Sequence, residues 1–258
     1  MYKTEILLFE QLKLLKDKHN LQGVKAEFEA EGSSYRDVNR LKRICAQLGI
    51  EVHLKIGGVE AVRDIKDALE LGVDGLIAPM VESRFAAKKF IDALRKNFQD
   101  VQNHTSLNIE TRAGVGNIEE IVELSAGVVN NITIGRSDLT ASFFDENLKP
   151  DSDFIFELIE KVAPVILANG MTITMGGGVT QQTVAKMIKK FPGLVNTISR
   201  IETRKIMFNT QDLISDTDSI NNALRFEELY ILSKKEFSDM KIDAEISRLP
   251  ELSRRAKA

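Results

Sequence analysis

The sequence predicts an α/β protein, a (β/α)₈ TIM-type barrel with an extended C-terminal helical arm, on three observations. Seven short apolar runs alternate with amphipathic segments of helical length, a pattern typical of βαβ units around a mainly parallel sheet. The chain has 258 residues, a length at which α/β barrels form one domain. No G-x-G-x-x-G fingerprint follows the first run, which disfavours the alternative of a doubly wound open sheet.

The predicted elements follow one another in a regular order. Apolar residues at helical spacing predict an amphipathic helix over residues 4–19. The last apolar run is long enough to supply two strands and thereby close an eight-stranded barrel. The predicted strands are 23–29, 51–56, 75–80, 106–111, 131–135, 172–177 and 195–208. The predicted helices between them are 36–48, 59–71, 83–98, 117–125, 152–168 and 180–190.

The C-terminal part differs from the rest of the chain. We expect residues 1–212 to form the barrel and residues 213–258 a helical arm, either within the same domain or at an oligomer contact. The charged helix predicted over 217–246 carries more apolar surface than an isolated arm can leave in water, at Leu224, Phe226, Leu229, Ile231, Leu232 and Phe237. This pattern predicts a homo-oligomer. The basic end, residues 250–258, is expected to fray.

The composition excludes several function classes. With 35 basic and 38 acidic residues the formal net charge is −3, so the sequence shows neither a global basic field for nucleic acid nor a polybasic membrane signal. The N-terminus lacks the uncharged apolar core of a signal peptide, and no run reaches the ~18 apolar residues that span a bilayer. Cys45 lies in an apolar-periodic stretch and is expected to be a buried thiol. A cytoplasmic location is therefore expected.

Two acidic residues give the strongest functional signal, because function in barrels collects at the C-terminal ends of the strands. Glu110 ends the fourth run and Asp138 follows the fifth. Taken singly, Asp138 is explained as a helix cap and Glu110 as a solvated side chain. On adjacent parallel strands, however, two carboxylates can converge on one hard cation, while water and substrate oxygens complete an octahedron. We therefore predict a site for Mg²⁺, Mn²⁺ or another divalent cation.

The segments IETRAGVGNIEEI and IGRSDLTASF resemble the two signature segments of the HpcH/HpaI aldolase and citrate lyase β-subunit family. The segment LGVDGLIAPMVES resembles the preceding strand of that family, and the resemblance covers residues 50–145 well. It implies a phosphoenolpyruvate/pyruvate-type barrel that binds a divalent ion and makes or breaks a carbon–carbon bond through an enolate. Glu110 and Asp138 match the metal ligands. The positions that match backbone near a bound carboxylate are Ala113, Gly114, Gly135 and Arg136.

Two further features have alternative explanations. Three glycines, residues 176–178, follow a strand and precede a helix, so that Gly177 and Gly178 are candidates to bind a phosphate or other anion. The alternative is a tight strand-to-helix turn. Arg112, beside the predicted metal ligand Glu110, is either a partner for a substrate anion or a surface residue.

The chain departs from the family pattern in its acid/base residues. Where family members usually carry an Arg, at the end of the second run, it has Lys55, which supplies the charge without the bidentate fork. The His that the aldolase branch places just after the first strand is absent, so a carboxylate such as Glu29 or Glu27 is expected to transfer the proton. Asn108 stands where that branch often has Gln. The predicted catalytic residues are Lys55, Glu29, Asn108 and Arg112.

Three functions follow from these residues. The first is a metal-dependent lyase or aldolase acting on a small 2-keto acid, a related carboxylate or an acyl-CoA-like substrate. The second is a Schiff-base aldolase, in which desolvation lowers the pKa of Lys55 so that its amine attacks a carbonyl. The third is a non-catalytic ligand-binding barrel that has lost the family's base. Sensitivity to a chelator would indicate the first function, and trapping by borohydride the second. Ligand binding with neither effect would indicate the third.

Overall fold

In the computed structural model, the described residues, which are 2–97, 104–216 and 218–257, form a closed barrel of eight strands, and the predicted fold class is confirmed. The strands are β1 Leu21–Glu27, β2 Val52–Lys55, β3 Gly75–Ala78, β4 His104–Ile109, β5 Asn131–Gly135, β6 Thr172–Gly176, β7 Arg200–Glu202 and β8 Ile206–Asn209. Each overlaps a run predicted from the sequence. Within the described part of the chain, no helix is both long and apolar enough to cross a membrane.

The helices alternate with the strands and surround them. They are α1 Lys3–His19, α2 Tyr35–Gln47, α3 Val62–Leu71, α4 Arg84–Asn97, α5 Arg112–Gly116, α6 Ile118–Ser125, α7 Arg136–Ala141, α8 Asp153–Ala168, α9 Gln181–Lys190, α10 Pro192–Thr197, α11 Thr210–Ser215, α12 Asp218–Ile246 and α13 Leu249–Arg255. The long predicted helices are present, whereas the short helices α5, α7, α10 and α11 were not predicted. Residues 98 and 217, at the ends of two predicted helices, lie outside the described residues.

The last strand makes the barrel different from eight parallel repeats. The long final run does supply two strands, but β7 and β8 form a hairpin in which Ile201 pairs with Phe208. β8 also runs antiparallel to β1, where Val24 pairs with Ile206. Because β7 and β8 are joined only by residues 203–205, the chain must reverse direction; a parallel neighbour needs a crossover of roughly a dozen residues or more.

The barrel wall separates an apolar outer face from a polar inner face. Val24, Ala26 and Leu54 are buried in the hydrophobic core between the strands and the helices. Side chains alternate across a strand, so Lys25 and Lys55 point to the inside. Barrel interiors are usually filled by branched apolar residues. The interior of this barrel therefore differs from the usual one in carrying charged side chains.

The C-terminal arm packs on the first helix of the same chain. On α12 the side chains of Phe226 and Leu229 are buried, and Gln11 of α1 donates a hydrogen bond from Nε2 to the backbone oxygen of Asn222 at 3.0 Å. Part of the apolar face that predicted an oligomer is thus covered within one chain. Three residues of that face remain exposed: Leu224, Ile231 and Leu232.

The distal part of the arm differs from the sequence-based expectation. The basic end, expected to fray, forms α13 over Leu249–Arg255, while residue 258 lies outside the described residues. From residue 238 to residue 257 the side chains are exposed, and several of them are apolar: Met240, Ile242, Ile246, Leu249 and Leu252. Cys45, by contrast, is buried as predicted, and burial raises the pKa of its thiol to about 12.

Candidate active site

A cavity of about 520 Å³ opens inside the barrel at the C-terminal ends of the strands. This is the position at which barrel strand ends and their following loops converge. Most of the residues singled out from the sequence line it, namely Glu29, Lys55, Asn108, Glu110, Gly135, Asp138, Gly177 and Gly178. Residues that follow several different strand ends therefore lie at one cavity.

Glu110 directly follows β4 and its side chain is almost completely buried, with 2% exposed. Its Oε1 accepts a hydrogen bond from the backbone N–H of Met80 at 3.0 Å, and its Oε2 accepts one from Asn108 Nδ2 at 3.1 Å. The ammonium of Lys55 lies 3.4 Å from Oε1. A carboxylate taken out of water needs such donors and a cation, and each of its oxygens keeps a free lone pair for a ligand.

The position of the Glu110 side chain depends on a glycine of the neighbouring strand. A Cβ added at Gly135 would lie 2.6 Å from Glu110 Oε2 and 2.9 Å from Glu110 Cβ. Real Cβ atoms do not approach other atoms so closely, so any larger residue at 135 displaces the carboxylate. Gly135 therefore acts by providing space for the predicted metal ligand.

Asp138 lies in the first turn of α7, just after β5, and its exposed side chain lines the same cavity as Glu110. Asn108 adds a buried Oδ1 atom with no hydrogen-bond partner among the described residues. These donors are all oxygen atoms, which are the ligands that hard divalent cations such as Mg²⁺ take. The donor set therefore fits the divalent ion that the family resemblance implies.

The protein would hold such an ion with few ligands. In the described ranges no group of three or more His, Cys, Asp or Glu side chains is placed to hold one metal ion. Glu110 and Asp138 would thus supply two carboxylates, and the remaining positions of an octahedron would fall to water and substrate. This arrangement suits Mg²⁺, which keeps several waters and binds through one or two carboxylates.

Lys55 is buried beside two carboxylates. Its ammonium lies 2.9 Å from Glu29 Oε2 and 3.4 Å from Glu110 Oε1. Burial by itself lowers the pKa of Lys55, but Glu110 and Glu29 outweigh this effect, so the pKa is raised above its usual value. The Schiff-base alternative requires a lowered pKa for Lys55, and the raised pKa contradicts that requirement. Lys55 is a fixed positive charge at the cavity wall.

The three glycines after β6 form a tight turn. Gly177 and Gly178 have positive φ values of 83° and 65°, which side chains rarely tolerate. A Cβ added at Gly177 would lie 2.5 Å from the backbone nitrogen of Ser137 and 2.7 Å from that of Arg136. The backbone of Gly177 thus packs directly on the start of α7. This geometry favours the tight turn over the phosphate loop, although both glycines line the cavity.

Four predicted residues are not among the described residues that line the cavity: Arg112, Ala113, Gly114 and Arg136. Arg112 is exposed, with its guanidinium carbon 5.7 Å from the ring centre of Phe143. Ala113 is also exposed, in the same short helix. Gly114 is buried, and an added Cβ would lie 2.8 Å from the backbone oxygen of Val81, so its small size serves helix packing. The geometry gives these residues no contact with the cavity.

Arg136 is fully buried and joins the glycine turn to the side chain of Asp151. Its Nη1 pairs with Asp151 Oδ1 at 2.6 Å, its Nη2 donates to the oxygen of Gly177 at 2.8 Å, and its Nε donates to the oxygen of Gly176 at 3.1 Å. The guanidinium is thus occupied in holding the glycine turn against α7. Its side chain supports the cavity wall and does not face a ligand.

Several cavity residues had no role assigned from the sequence. Lys25 and Glu202, from β1 and β7, face each other across the barrel with Nζ 2.8 Å from Oε1, and both are buried. Glu27 lies 3.6 Å from the same ammonium. Alternation along β1 places Lys25 on the same face as Glu27, so the periodicity of the run contained the signal for this residue. The approach of β7 to β1 could not be read from the sequence.

The chain is similar to a known family and to solved structures that share its fold. The family model of the HpcH/HpaI aldolase/citrate lyase family matches residues 37–173, more than half of the chain. An HpcH/HpaI aldolase/citrate lyase family protein from Burkholderia cenocepacia J2315 shares the fold with a TM-score of 0.60 and 15% identity, over 86% of this chain and 88% of that one.

Two further solved structures are similar to the same extent. The HpcH/HpaI aldolase from Desulfitobacterium hafniense DCB-2 gives a TM-score of 0.61 at 15% identity, over 87% of this chain and 89% of that one. The citrate synthase SbnG gives 0.60 at 16% identity, over 91% and 90% of the two chains. At such identities the likeness shows the fold alone. None of the curated protein sequences matches this chain at a significant level.

Proposed function

This chain belongs to the HpcH/HpaI aldolase/citrate lyase family, and we propose that it is a divalent-metal-dependent carbon–carbon lyase or aldolase acting through the enolate of a 2-keto acid or acyl-CoA-like substrate. The observation that carries the proposal is that Glu110 and Asp138, from adjacent strand ends, open into one cavity with the cation of Lys55 beside them. Structural relatives named as an aldolase and as a citrate synthase support carbon–carbon bond chemistry as the reaction class.

Each residue of this group has a distinct task. Glu110 and Asp138 would hold the ion, which when bound supplies a Lewis acid that draws charge from the carbonyl of a keto acid. Lys55 presents a positive charge to the substrate carboxylate. Asn108 holds Glu110 through its amide nitrogen and offers its unpartnered oxygen to water or substrate.

Glu29 is the carboxylate we assign to proton exchange at the carbon of the enolate. It lies 2.9 Å from Lys55, which in turn is 3.4 Å from Glu110, so it borders the same end of the cavity as the proposed metal ligands. Its side chain is 23% exposed, which leaves it in contact with solvent for release of the proton. A positioned carboxylate of this kind can act as acid and as base in turn.

The test is calorimetric titration of Mg²⁺ and Mn²⁺, with and without pyruvate or oxaloacetate. Because the protein supplies only two carboxylates, affinity should be weak for the free protein and should rise when a keto acid is present. Asp138→Ala should abolish metal-dependent binding and lyase activity, and Asp138→Asn should lose most of the affinity while keeping the shape of the side chain. Equal binding of metal by wild type and Asp138→Ala would show that the site is misassigned.

The same experiment addresses the Schiff-base alternative. Lys55→Ala should weaken keto-acid binding by roughly ten- to a hundredfold, the value of a charged hydrogen bond, and should leave metal binding in place. Borohydride with pyruvate should trap no adduct, because the raised pKa keeps the amine protonated. Trapping at Lys55 together with insensitivity to EDTA would replace the metal-dependent reaction with the Schiff-base one.

A further inference from the structure

Two glutamates that line the cavity each lie against a glycine of a neighbouring strand. A Cβ added at Gly135 would lie 2.6 Å from Glu110 Oε2, and one added at Gly176 would lie 2.8 Å from Glu202 Oε1. Gly135 and Gly176 are register partners on the adjacent strands β5 and β6. Glu110 reaches this patch from β4 and Glu202 reaches it from β7. The two carboxylates therefore approach one part of the cavity wall from opposite sides.

Glu202 is held as half of a buried ion pair. Its Oε1 lies 2.8 Å from the ammonium of Lys25, and only 4% of Glu202 and 7% of Lys25 are exposed. Burial lowers the pKa of Lys25, but the carboxylates of Glu202 and Glu27 outweigh it and raise the pKa above the usual value. At neutral pH the pair therefore places an acceptor and a protonated donor side by side at the cavity surface.

The charges around this pair restrict what can bind beside it. Lys25 is already neutralised by Glu202, and Glu27 lies 3.6 Å from the same ammonium. A second substrate carboxylate placed here would meet two like charges with little compensation, which is costly in a buried site. A neutral hydroxyl, in contrast, donates its hydrogen to Glu202 and accepts a hydrogen bond from Lys25. The pair thus fits a hydroxyl-bearing part of a substrate.

Resting on the function proposed above, we propose that Glu202 is the base that takes the proton of the 4-hydroxyl group of a 4-hydroxy-2-keto acid, with Lys25 as its positioning residue. In the cleavage direction the O–H bond breaks and the proton passes to Glu202. The oxygen pair forms the second bond of an aldehyde carbonyl as the bond between C3 and C4 breaks. The released pair becomes the enolate of the keto acid, and addition is the reverse.

This assignment accounts for a residue that the family resemblance leaves missing. The aldolase branch has a His just after its first strand, whereas the segment that follows β1 in this chain contains no His. Glu29, beside Lys55, serves the carbon end of the enolate. Glu202 serves the oxygen that leaves with the other half of the substrate. The two proton transfers of an aldol cleavage then fall to carboxylates on different strands.

The experiment compares two reactions of the full chain with Mg²⁺ that form the same enolate. Cleavage of 4-hydroxy-2-oxopentanoate requires removal of a hydroxyl proton, and decarboxylation of oxaloacetate does not. Glu202→Gln should lower kcat for cleavage by about a hundredfold or more, the usual contribution of a general base, and leave decarboxylation unchanged. Calorimetric binding of Mg²⁺ in the presence of pyruvate should also be unchanged, because Glu110 and Asp138 are intact.

Matched variants test the geometry and the positioning role. Glu51→Gln makes the same change at a glutamate paired with His53 at the other end of the barrel and should alter neither reaction. Gly176→Ala should displace Glu202 and reproduce its loss of cleavage. Lys25→Met should lower kcat for cleavage and leave decarboxylation unchanged, and Lys25→Arg, which keeps a cation beside Glu202, should restore part of the cleavage.

The outcomes separate this proposal from the one on which it rests. Equal loss of both reactions in Glu202→Gln, with weaker binding of Mg²⁺ and pyruvate, would show that Glu202 is only structural and overturn the assignment. Unchanged cleavage in that variant would overturn it as well. If the wild type shows no keto-acid-dependent metal binding, the proposed function itself fails.

Discussion

The two ends of the barrel interior are both polar but use their polar groups differently. At the N-terminal end the amide of Asn131 donates to Ser106 Oγ at 2.8 Å and Thr133 Oγ1 at 3.1 Å, and it accepts from Thr172 Oγ1 at 2.9 Å and Thr174 Oγ1 at 3.0 Å. These neutral side chains satisfy one another. At the C-terminal end the groups are charged, and Asn108 Oδ1 has no partner among the described residues.

The difference shows how one set of strands can serve stability and chemistry together. A hydrogen-bonded network of neutral groups fixes strand register without the cost of burying charge. Charged groups at the other end are tolerated because they pair, and they keep lone pairs and donors facing the cavity. We call the N-terminal end of the interior the closed end and the C-terminal end, where the cavity lies, the open end. Mutations at the closed end should change stability, and mutations at the open end should change binding and activity.

The largest effect is expected from Gly135→Ala at the open end. The new Cβ would lie 2.6 Å from Glu110 Oε2, so the carboxylate must move. We expect metal affinity in the presence of pyruvate to fall by about 10- to 100-fold, the usual cost of losing a group that orients a ligand. Calorimetry measures the affinity. Retained affinity with a normal fold would show that Glu110 needs no fixed position.

Gly75→Ala is the matched change at the closed end. Gly75 lies between His53 and His104 in the sheet register, and an added Cβ would lie 2.6 Å from His53 Nδ1. The histidine rings, 5.1 Å apart across this gap, would have to move. We expect a loss of about 1–3 kcal/mol of unfolding free energy, as for other overpacked sites. Urea unfolding measures it, and unchanged metal binding would complete the contrast with Gly135→Ala.

A different contrast, between covered and exposed apolar side chains, lies within α12. Its first half is covered by α1, whereas Ile242 and Ile246, one turn apart, are 54% and 51% exposed. We predict a homo-oligomer that covers them, and Ile242→Glu with Ile246→Glu should release monomers by placing charge in an apolar contact. Light scattering over a range of concentrations measures the mass. A wild-type monomer at all concentrations would contradict the prediction.

The smallest effect concerns acid stability at the closed end. Burial, with His53 and Arg200 nearby, lowers the pKa of His104 to about 4. An unfolded His titrates near ~6.5, so between these values the unfolded chain binds more protons and stability rises with pH. The contribution of His104 should be complete above the unfolded pKa and lost progressively as pH falls toward 4. The urea midpoints of wild type and His104→Asn should therefore approach each other as the pH falls through this window. A constant difference between the two midpoints would contradict this prediction.

Much of the fold could be predicted because each element carries its own local pattern. The run NITIG became β5 without change, and the helix predicted over 180–190 is present as α9, with Thr180 as its N-cap. The direction of β8 could not be predicted from periodicity, since an apolar run reads alike in both directions. The short connection between Glu202 and Ile206 sets the direction of β8. The length of this connection is known only once the long final run has been divided into two strands.

The candidate site was predictable where residues follow strand ends and less so where neighbours decide. Glu110, Asp138 and Lys55 could be expected to line one cavity because the topology brings strand ends together. No role was predicted for Lys25 because a lysine in the middle of an apolar run is usually exposed to solvent. Its partner Glu202 lies far away in sequence and meets it only when the barrel closes.

Closure by β8 also has a consequence for synthesis on the ribosome. Until residues 206–209 emerge, β1 and β7 are open edges, and α1 lacks the helix that covers it until most of α12 has followed. Open strand edges pair readily with other chains. A nascent chain of this protein therefore exposes pairing edges until β8 has been translated and leaves α1 uncovered until α12 has followed.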